Sequence, residues 1–135
     1  MIQLHALSFG IGIVEPAVID EINILQATFQ AFAIALSQLS PKPHLCLIDG
    51  NQKFPTSIPQ KAIIKGDNRV FSVAAASIIA KVTRDRLMIE LDKELPEYGF
   101  SIHKGYGTEL HMKAIEDFGP SPLHRRSFAM PQKRT

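Results

Sequence analysis

Two short apolar runs, Leu45–Ile48 and Ala62–Lys65, constrain the fold more than anything else in this chain. Each is closed by a turn containing glycine and aspartate, Asp49-Gly50 and Gly66-Asp67. Runs this short, bounded by turn formers, read as interior strands rather than helices. A longer run, His5–Val14 (HALSFGIGIV), reads as a third, buried strand. Helical stretches lie between and after them. Pro16 suits a first helical position, and Ile22, Leu25, Phe29, Phe32 and Leu36 follow at spacings of three or four. They predict one helix with a core-facing stripe from Pro16 to about Leu39, stopped by Ser40-Pro41-Lys42-Pro43. Ser72 is placed to cap a second long helix that runs until Pro96, with Ala75, Ile78, Ile79, Val82 and Ile89 on one stripe. Residues 50–60 and 96–107 read as loops, and Thr108 is placed to cap a short helix ending near Phe118. Strands alternating with helices give an α/β domain. With 135 residues and no linker or repeat, residues 1–135 read as one domain.

Composition removes several classes. The single cysteine, Cys46, excludes a disulfide scaffold and suggests a buried thiol in a reducing, cytoplasmic setting. No apolar stretch is long enough to span a bilayer, and the first residues carry no basic segment of a secretory signal. Net charge is only +2, yet its distribution is uneven. Seven bases against two acids fall in residues 52–86, and six against three in 103–135, with an acidic block between. Converging basic blocks would suit phosphates; a solvated mixed surface is the alternative.

The residues able to carry chemistry are few. Asp49 and Asp67 both follow a predicted strand, and in open α/β sheets ligands bind beyond the carboxyl ends of strands. Two such carboxylates can share a hard divalent cation that also meets phosphate, though aspartate beside glycine or asparagine is also an ordinary turn. Ser72 and Ser77 bracket the first turns of the long helix, where phosphate binding and simple capping are both available. Lys81, Arg84 and Arg86 read as solvated helix positions. His103-Lys104-Gly105-Tyr106-Gly107-Thr108 sets a base and an aromatic between glycines, so Lys104 can reach a phosphate and Tyr106 can stack on a sugar or base; a turn with a half-buried tyrosine is the plainer alternative. His103, His111 and His124 lack tight metal-ligand spacing. No glycine fingerprint of a nucleotide-cofactor site is present.

Six stretches in order, IDEINILQAT (19–28), LIDGN (47–51), IIKGD (63–67), AAASIIAKVTRDR (74–86), YGFSIHKGYGT (98–108) and HRRSF (124–128), cover nearly the whole chain. Together they resemble bacterial ribonuclease HII, a type 2 ribonuclease H. The resemblance implies a ribonuclease H-like fold and a Mg²⁺- or Mn²⁺-dependent endonuclease of DNA replication and repair. Such an enzyme cuts the RNA strand of RNA–DNA hybrids, nicks at ribonucleotides embedded in duplex DNA, and leaves 3′-hydroxyl and 5′-phosphate ends. It implies a monomer at full length, with no membrane partner. Asp49 and Asp67 match two of the family's four site acids and would ligate the metal. Tyr106 matches the tyrosine that stacks at the RNA–DNA junction, and Lys104, Ser72, Ser77, Arg125 and Arg126 fall where substrate contacts are expected.

The departure is at the start. The family's Asp-Glu-x-Gly-Arg-Gly strand, which supplies the other two acids, has no match here, and the chain begins just before the family's third strand. The fold implied is thus incomplete, lacking the first two strands. The first family strand pairs with the one ending at Asp49, so a gap beside Leu45–Asp49, or His5–Val14 pairing there instead, is expected. The alternative to an enzyme is an inactive remnant that still binds RNA–DNA.

Overall fold

The computed structural model describes residues 1–127. They form two compact units, one made of Met1–Val14 and Ile24–Ala80, the other of residues 15–23 and those from Lys81 onward. The first unit holds helix α1 (Ile2–His5), helix α3 (Ile24–Ser37), strands β1 (Cys46–Asp49) and β2 (Gln60–Ile63), the one-turn helix α4 (Gly66–Arg69) and the start of the long helix α5 (Phe71–Glu94). The second holds α2 (Pro16–Ile22), the rest of α5, a 3₁₀ turn (Pro96–Tyr98), α6 (Phe100–His103) and α7 (Glu109–Phe118).

In the first unit β1 and β2 pair in parallel, Cys46 opposite Gln60 and Asp49 opposite Ile63. The second strand therefore begins two residues earlier than Ala62–Lys65 predicts. Lys65 turns into the left-handed region (φ 55°) and ends it. The 50–60 loop is held by one side chain: the Gln60 amide accepts from Phe54 N at 3.0 Å and donates to Phe54 O at 2.6 Å. That fixes buried Phe54 against Phe32 (centroids 5.4 Å, edge to face) and Phe29 (6.5 Å) of α3. The phenylalanines of the predicted stripe thus pack, while Leu25 on the same stripe stays exposed.

The His5–Val14 strand does not form. His5 ends α1, and the residues after it run as irregular extended chain along α3. A strand needs a backbone ladder. Here the ladder's place is taken by one side chain, Gln38, whose amide accepts from Ile11 N (2.9 Å) and donates to Ile11 O (2.8 Å). Gly10 and Gly12 lie on the helix itself: a Cβ would fall 2.1 Å from Ala35 O and 1.9 Å from Ala31 O, respectively. The sheet consists of β1 and β2 alone among the described residues, so the edge of β1 away from β2 is open and His5–Val14 does not fill it. This is the gap that an incomplete ribonuclease H-like sheet implies.

The helix predicted from Pro16 to Leu39 is two helices. Asn23, at φ 71°, breaks it between α2 and α3, a conformation asparagine adopts more readily than other non-glycine residues. The apolar spacing runs on across the break, so periodicity alone does not reveal it. Helix α5 matches its expected extent, with a correction at its start: the Val70 carbonyl accepts from Ala74 N (3.0 Å), so Ser72 lies inside the first turn instead of capping it. Its predicted stripe stays partly bare, with Ile78 51% exposed and Val82 and Ile89 also exposed.

The core of the second unit is Tyr98, Phe100 and Ala114, with Met88 and Leu91 of α5 and Leu95 just beyond it packed against it. Tyr98 stacks on Phe100 (5.5 Å, 14°) and its hydroxyl donates to Gly119 O at 2.6 Å. Residues 96–107, expected as loop, contain the 3₁₀ turn and α6, because Gly99 in the left-handed region (φ 71°) joins two short turns back to back. Helix α7 forms as expected, with the Thr108 hydroxyl accepting from His111 N (3.3 Å) and Ile115 fully buried beneath it. No helix among the described residues is long and apolar enough to cross a membrane.

Candidate active site and substrate-contact residues

Asp49 is the last residue of β1, and Asp67 lies in the first turn of α4, four residues beyond the end of β2. Their link is direct. Asp49 Oδ1 accepts from Gly66 N at 3.0 Å, so the residue before Asp67 is tied to the Asp49 carboxylate. Gly66 packs closely here: a Cβ on it would stand in van der Waals contact with Val73 Cγ1 at 3.4 Å and Asp49 Cα at 3.5 Å. Asp49 thus ends β1 and is exposed, while Asp67, half-buried, follows the glycine that Asp49 holds. The donor set is carboxylate oxygen, which suits a hard divalent cation that keeps several waters. No third histidine, cysteine or acid joins them as a metal-holding group among the described residues. In the same unit Ser72 is exposed and Ser77 half-buried in the first two turns of α5.

The remaining expected site residues belong to the second unit. Lys104 and Gly105 both take positive φ (54° and 84°), which throws Tyr106 outward with its ring 52% exposed. Lys104 turns back and donates its ammonium to Ser101 O. Tyr106 has a cation partner that sequence reasoning assigned to solvent: Arg84 Cζ stands 4.6 Å over the ring centroid, within cation–π range. A Cβ on Gly105 would meet Arg84 Nη2 at 3.3 Å, so this glycine admits the guanidinium. No local pattern marks Arg84, because its partner is twenty-two positions away. Arg125 is half-buried, and burial, followed by the Arg84 charge, lowers its pKa while Asp20 raises it. Arg84, Arg125 and Asp20 therefore share one electrostatic neighbourhood. Asp20 accepts from Arg126 N (2.9 Å), Ser127 N (2.8 Å) and Ser127 Oγ (2.7 Å), and the Ser127 bonds hold its carboxyl below the ordinary range. It anchors the HRRS turn carrying Arg125 and Arg126.

The three histidines without metal spacing also come together. His103, His111 and His124 are buried. The first two rings stack at 4.1 Å and 9°, and His111 Nε2 lies 2.9 Å from His124 Nε2. Burial, then the neighbouring imidazoles, pushes His124 down to about 4; burial also lowers His111. Cys46, expected to be buried, is only half-buried because it opens a strand of a two-stranded sheet; desolvation still pushes its thiol up.

Comparison with known proteins shows the family. The family model of ribonuclease HII matches residues 2–130. The chain is similar to a ribonuclease HII of Geotalea daltonii, 54% identical over 129 residues, covering 96% of this chain and 60% of that one. It is 55% identical to a ribonuclease HII of Chloroherpeton thalassium, with 96% and 64% covered, and 57% identical to one of Bacillus mycoides, with 95% and 49% covered. Among solved structures it resembles the ribonuclease H2 of Pyrococcus horikoshii OT3, with a TM-score of 0.66 and 27% identity, covering 85% of this chain and 62% of that one. The chain thus spans between about half and under two-thirds of the length of these relatives. Matched by one family model from its second residue to residue 130, and more than half identical to the relatives named, the chain belongs to the ribonuclease HII family.

Proposed function

We propose that this chain carries part of the catalytic and substrate-contact apparatus of a metal-dependent endonuclease acting on the RNA strand of RNA–DNA hybrids and at ribonucleotides embedded in duplex DNA. Both units belong to one catalytic domain in this reading, as the single family match over 2–130 supports. The protein is cytoplasmic, serves replication and repair, and acts as a monomer at full length. The observation that supports the reading is the Asp49–Gly66 hydrogen bond, which ties the Asp49 carboxylate to the residue just before Asp67.

Asp49 and Asp67 would hold Mg²⁺ or Mn²⁺ through carboxylate oxygens. Such ions, acting as a pair, make water nucleophilic and stabilise the leaving oxygen. Hydrolysis forms a bond from water oxygen to phosphorus and breaks the bond to the 3′-oxygen. That oxygen takes a proton, leaving a 3′-hydroxyl and a 5′-phosphate. Tyr106 stacks at the junction sugar, with Arg84 polarising its other contacts. Arg125, Arg126 and Lys104 offer charge to phosphates, and Ser72 and Ser77 offer hydroxyls beside the first turns of α5.

In a longer protein containing these residues, Asp49→Asn is expected to lower hybrid cleavage by at least about a hundredfold while leaving hybrid binding within about threefold, because it removes metal-binding charge and keeps the shape. Equal loss of cleavage and binding would overturn the assignment. A second reading, a hybrid-binding chain that does not cut, is favoured for the 135 residues by themselves, because no group of three or more His, Cys, Asp or Glu side chains able to hold a metal ion occurs among the described residues.

A further inference from the structure

We infer that His103, His111 and His124 form a buried positioning cluster that holds the Gly105–Tyr106 backbone, and with it the Tyr106 ring, only while all three imidazoles are uncharged. This rests on the reading of Tyr106 as the substrate-stacking residue.

Two carbonyls, which can only accept, fix where the imidazole protons sit. Tyr106 O lies 2.9 Å from His111 Nδ1, so His111 carries its proton on Nδ1 and offers a bare Nε2. That nitrogen is 2.9 Å from His124 Nε2, so His124 donates from Nε2 and offers a bare Nδ1. Two donors meet that bare nitrogen, Ser121 N at 2.9 Å and Ser121 Oγ at 2.8 Å. Ser121 Oγ in turn accepts from Leu123 N at 3.2 Å, which leaves its proton for the imidazole. The second carbonyl gives the same result independently. Tyr98 O is 2.6 Å from His103 Nε2, so His103 Nδ1 is bare, and it accepts from Gly105 N at 3.0 Å. Every ring nitrogen in the cluster has a partner, and every partner demands the neutral form.

The load these bonds carry is the loop. Gly105 N is held by His103 Nδ1, Tyr106 N by His103 O (3.0 Å), and Tyr106 O by His111 Nδ1 and by Thr108 N (2.8 Å). An added proton would set N–H against N–H at His111–His124, at His124–Ser121 or at His103–Gly105, and would put charge into the stacked His103–His111 pair. The groups facing the cluster offer no compensation. They are the three imidazoles themselves, the Tyr98 phenol on the 3₁₀ turn, and Arg84 of α5 beyond Gly105. No carboxylate contributes to the shift of His111 or His124. His111 thus acts on the substrate through Tyr106, as a positioning residue.

The test is nitrogen NMR of the full chain at pH 7.5, with no ligand. The expected tautomers are Nε2–H for His103 and His124 and Nδ1–H for His111; a charged cluster, or His111 protonated on Nε2, would overturn the inference. As pH falls, the Tyr106 amide and Arg84 side-chain signals should move together with protonation of His124, and stationary Tyr106 signals would also overturn it. His111→Leu should displace those signals, while His111→Asn, whose amide can donate in place of Nδ1, should restore them. Should the leucine variant not fold, the tautomers and the asparagine variant decide. In a hybrid-binding assay His111→Leu should weaken binding as much as Tyr106→Ala, about tenfold, with His111→Asn recovering most of it. If neither Tyr106→Ala nor His111→Leu changes binding, the substrate role of Tyr106 fails while the tautomer and loop signals still judge the positioning role.

Discussion

A hydrogen bond or an aromatic face at a single residue decides most of what this chain can do. At Tyr106 the outward ring and the Arg84 guanidinium above it predict that Tyr106→Ala lowers preference for an RNA–DNA junction more than affinity for hybrid in general, by about fivefold to tenfold, because stacking on one base or sugar contributes on the order of 1–3 kcal/mol. Competition between junction-containing and uniform hybrids measures it, and equal losses on both substrates would remove Tyr106 from the junction. At His124 the prediction concerns stability. Its folded pKa, about 4, lies below the unfolded value of about 6.5. Folding therefore favours the neutral ring, and the unfolded chain binds more protons between those values. Stability is fully present above pH 6.5 and is lost as pH falls towards 4, by on the order of 1–3 kcal/mol. Urea unfolding across this range should show that loss, and His124→Gln should flatten it. An undiminished slope in the variant would show that other groups cause it.

At the scale of elements, the segment after α1 is the instructive case. Its apolar and small residues have strand character, yet the chain uses its glycines to lie against α3 and borrows the Gln38 amide as its hydrogen-bonding partner. Gly12→Ala should therefore force the two apart, since the new methyl would sit 1.9 Å from a backbone oxygen that cannot swing aside. Overpacking of this kind costs about 1–3 kcal/mol. Limited proteolysis should cut residues 8–14 faster in the variant, and unchanged cleavage would mean that the segment does not rest on the helix. Helix α7 is the contrasting element, because its boundaries follow from local chemistry: threonine before, glycine after, and buried Ala114 and Ile115 on one face.

For the whole molecule, two features bear on stability: the sheet has only two strands among the described residues, and α5 leaves Ile78, Val82 and Ile89 exposed. Unpaired edges and exposed apolar rows invite self-association. The purified 135-residue chain is expected to have low stability, to aggregate on warming, and to show no detectable hybrid cleavage with Mg²⁺ or Mn²⁺, since two carboxylates hold such ions weakly. Cleavage that disappears on Asp49→Asn would refute this. Hybrid binding by the chain should weaken steeply with salt, because neutralised phosphates release counterions at a slope of about 0.9 per contact on B-DNA. A flat salt response would count against the basic residues as the contact surface.

The sequence by itself determined the elements whose causes are local. Helix α5 ends at Glu94 just before Pro96, α7 starts after its cap Thr108, and β1 ends at Asp49, because capping, proline and turn chemistry act over a few residues. The family, too, was legible, since its motifs are contiguous stretches. Tertiary structure alone decided the rest. His5–Val14 became a strap because a strand exists only with a ladder partner, and which backbone lies alongside is a long-range fact. Arg84 met Tyr106, and three histidines with no common spacing met in one core, because their contacts join positions 13 to 22 residues apart or a glycine-built turn between them. Pattern at the scale of a helical turn carries no record of such meetings; only the folded packing does.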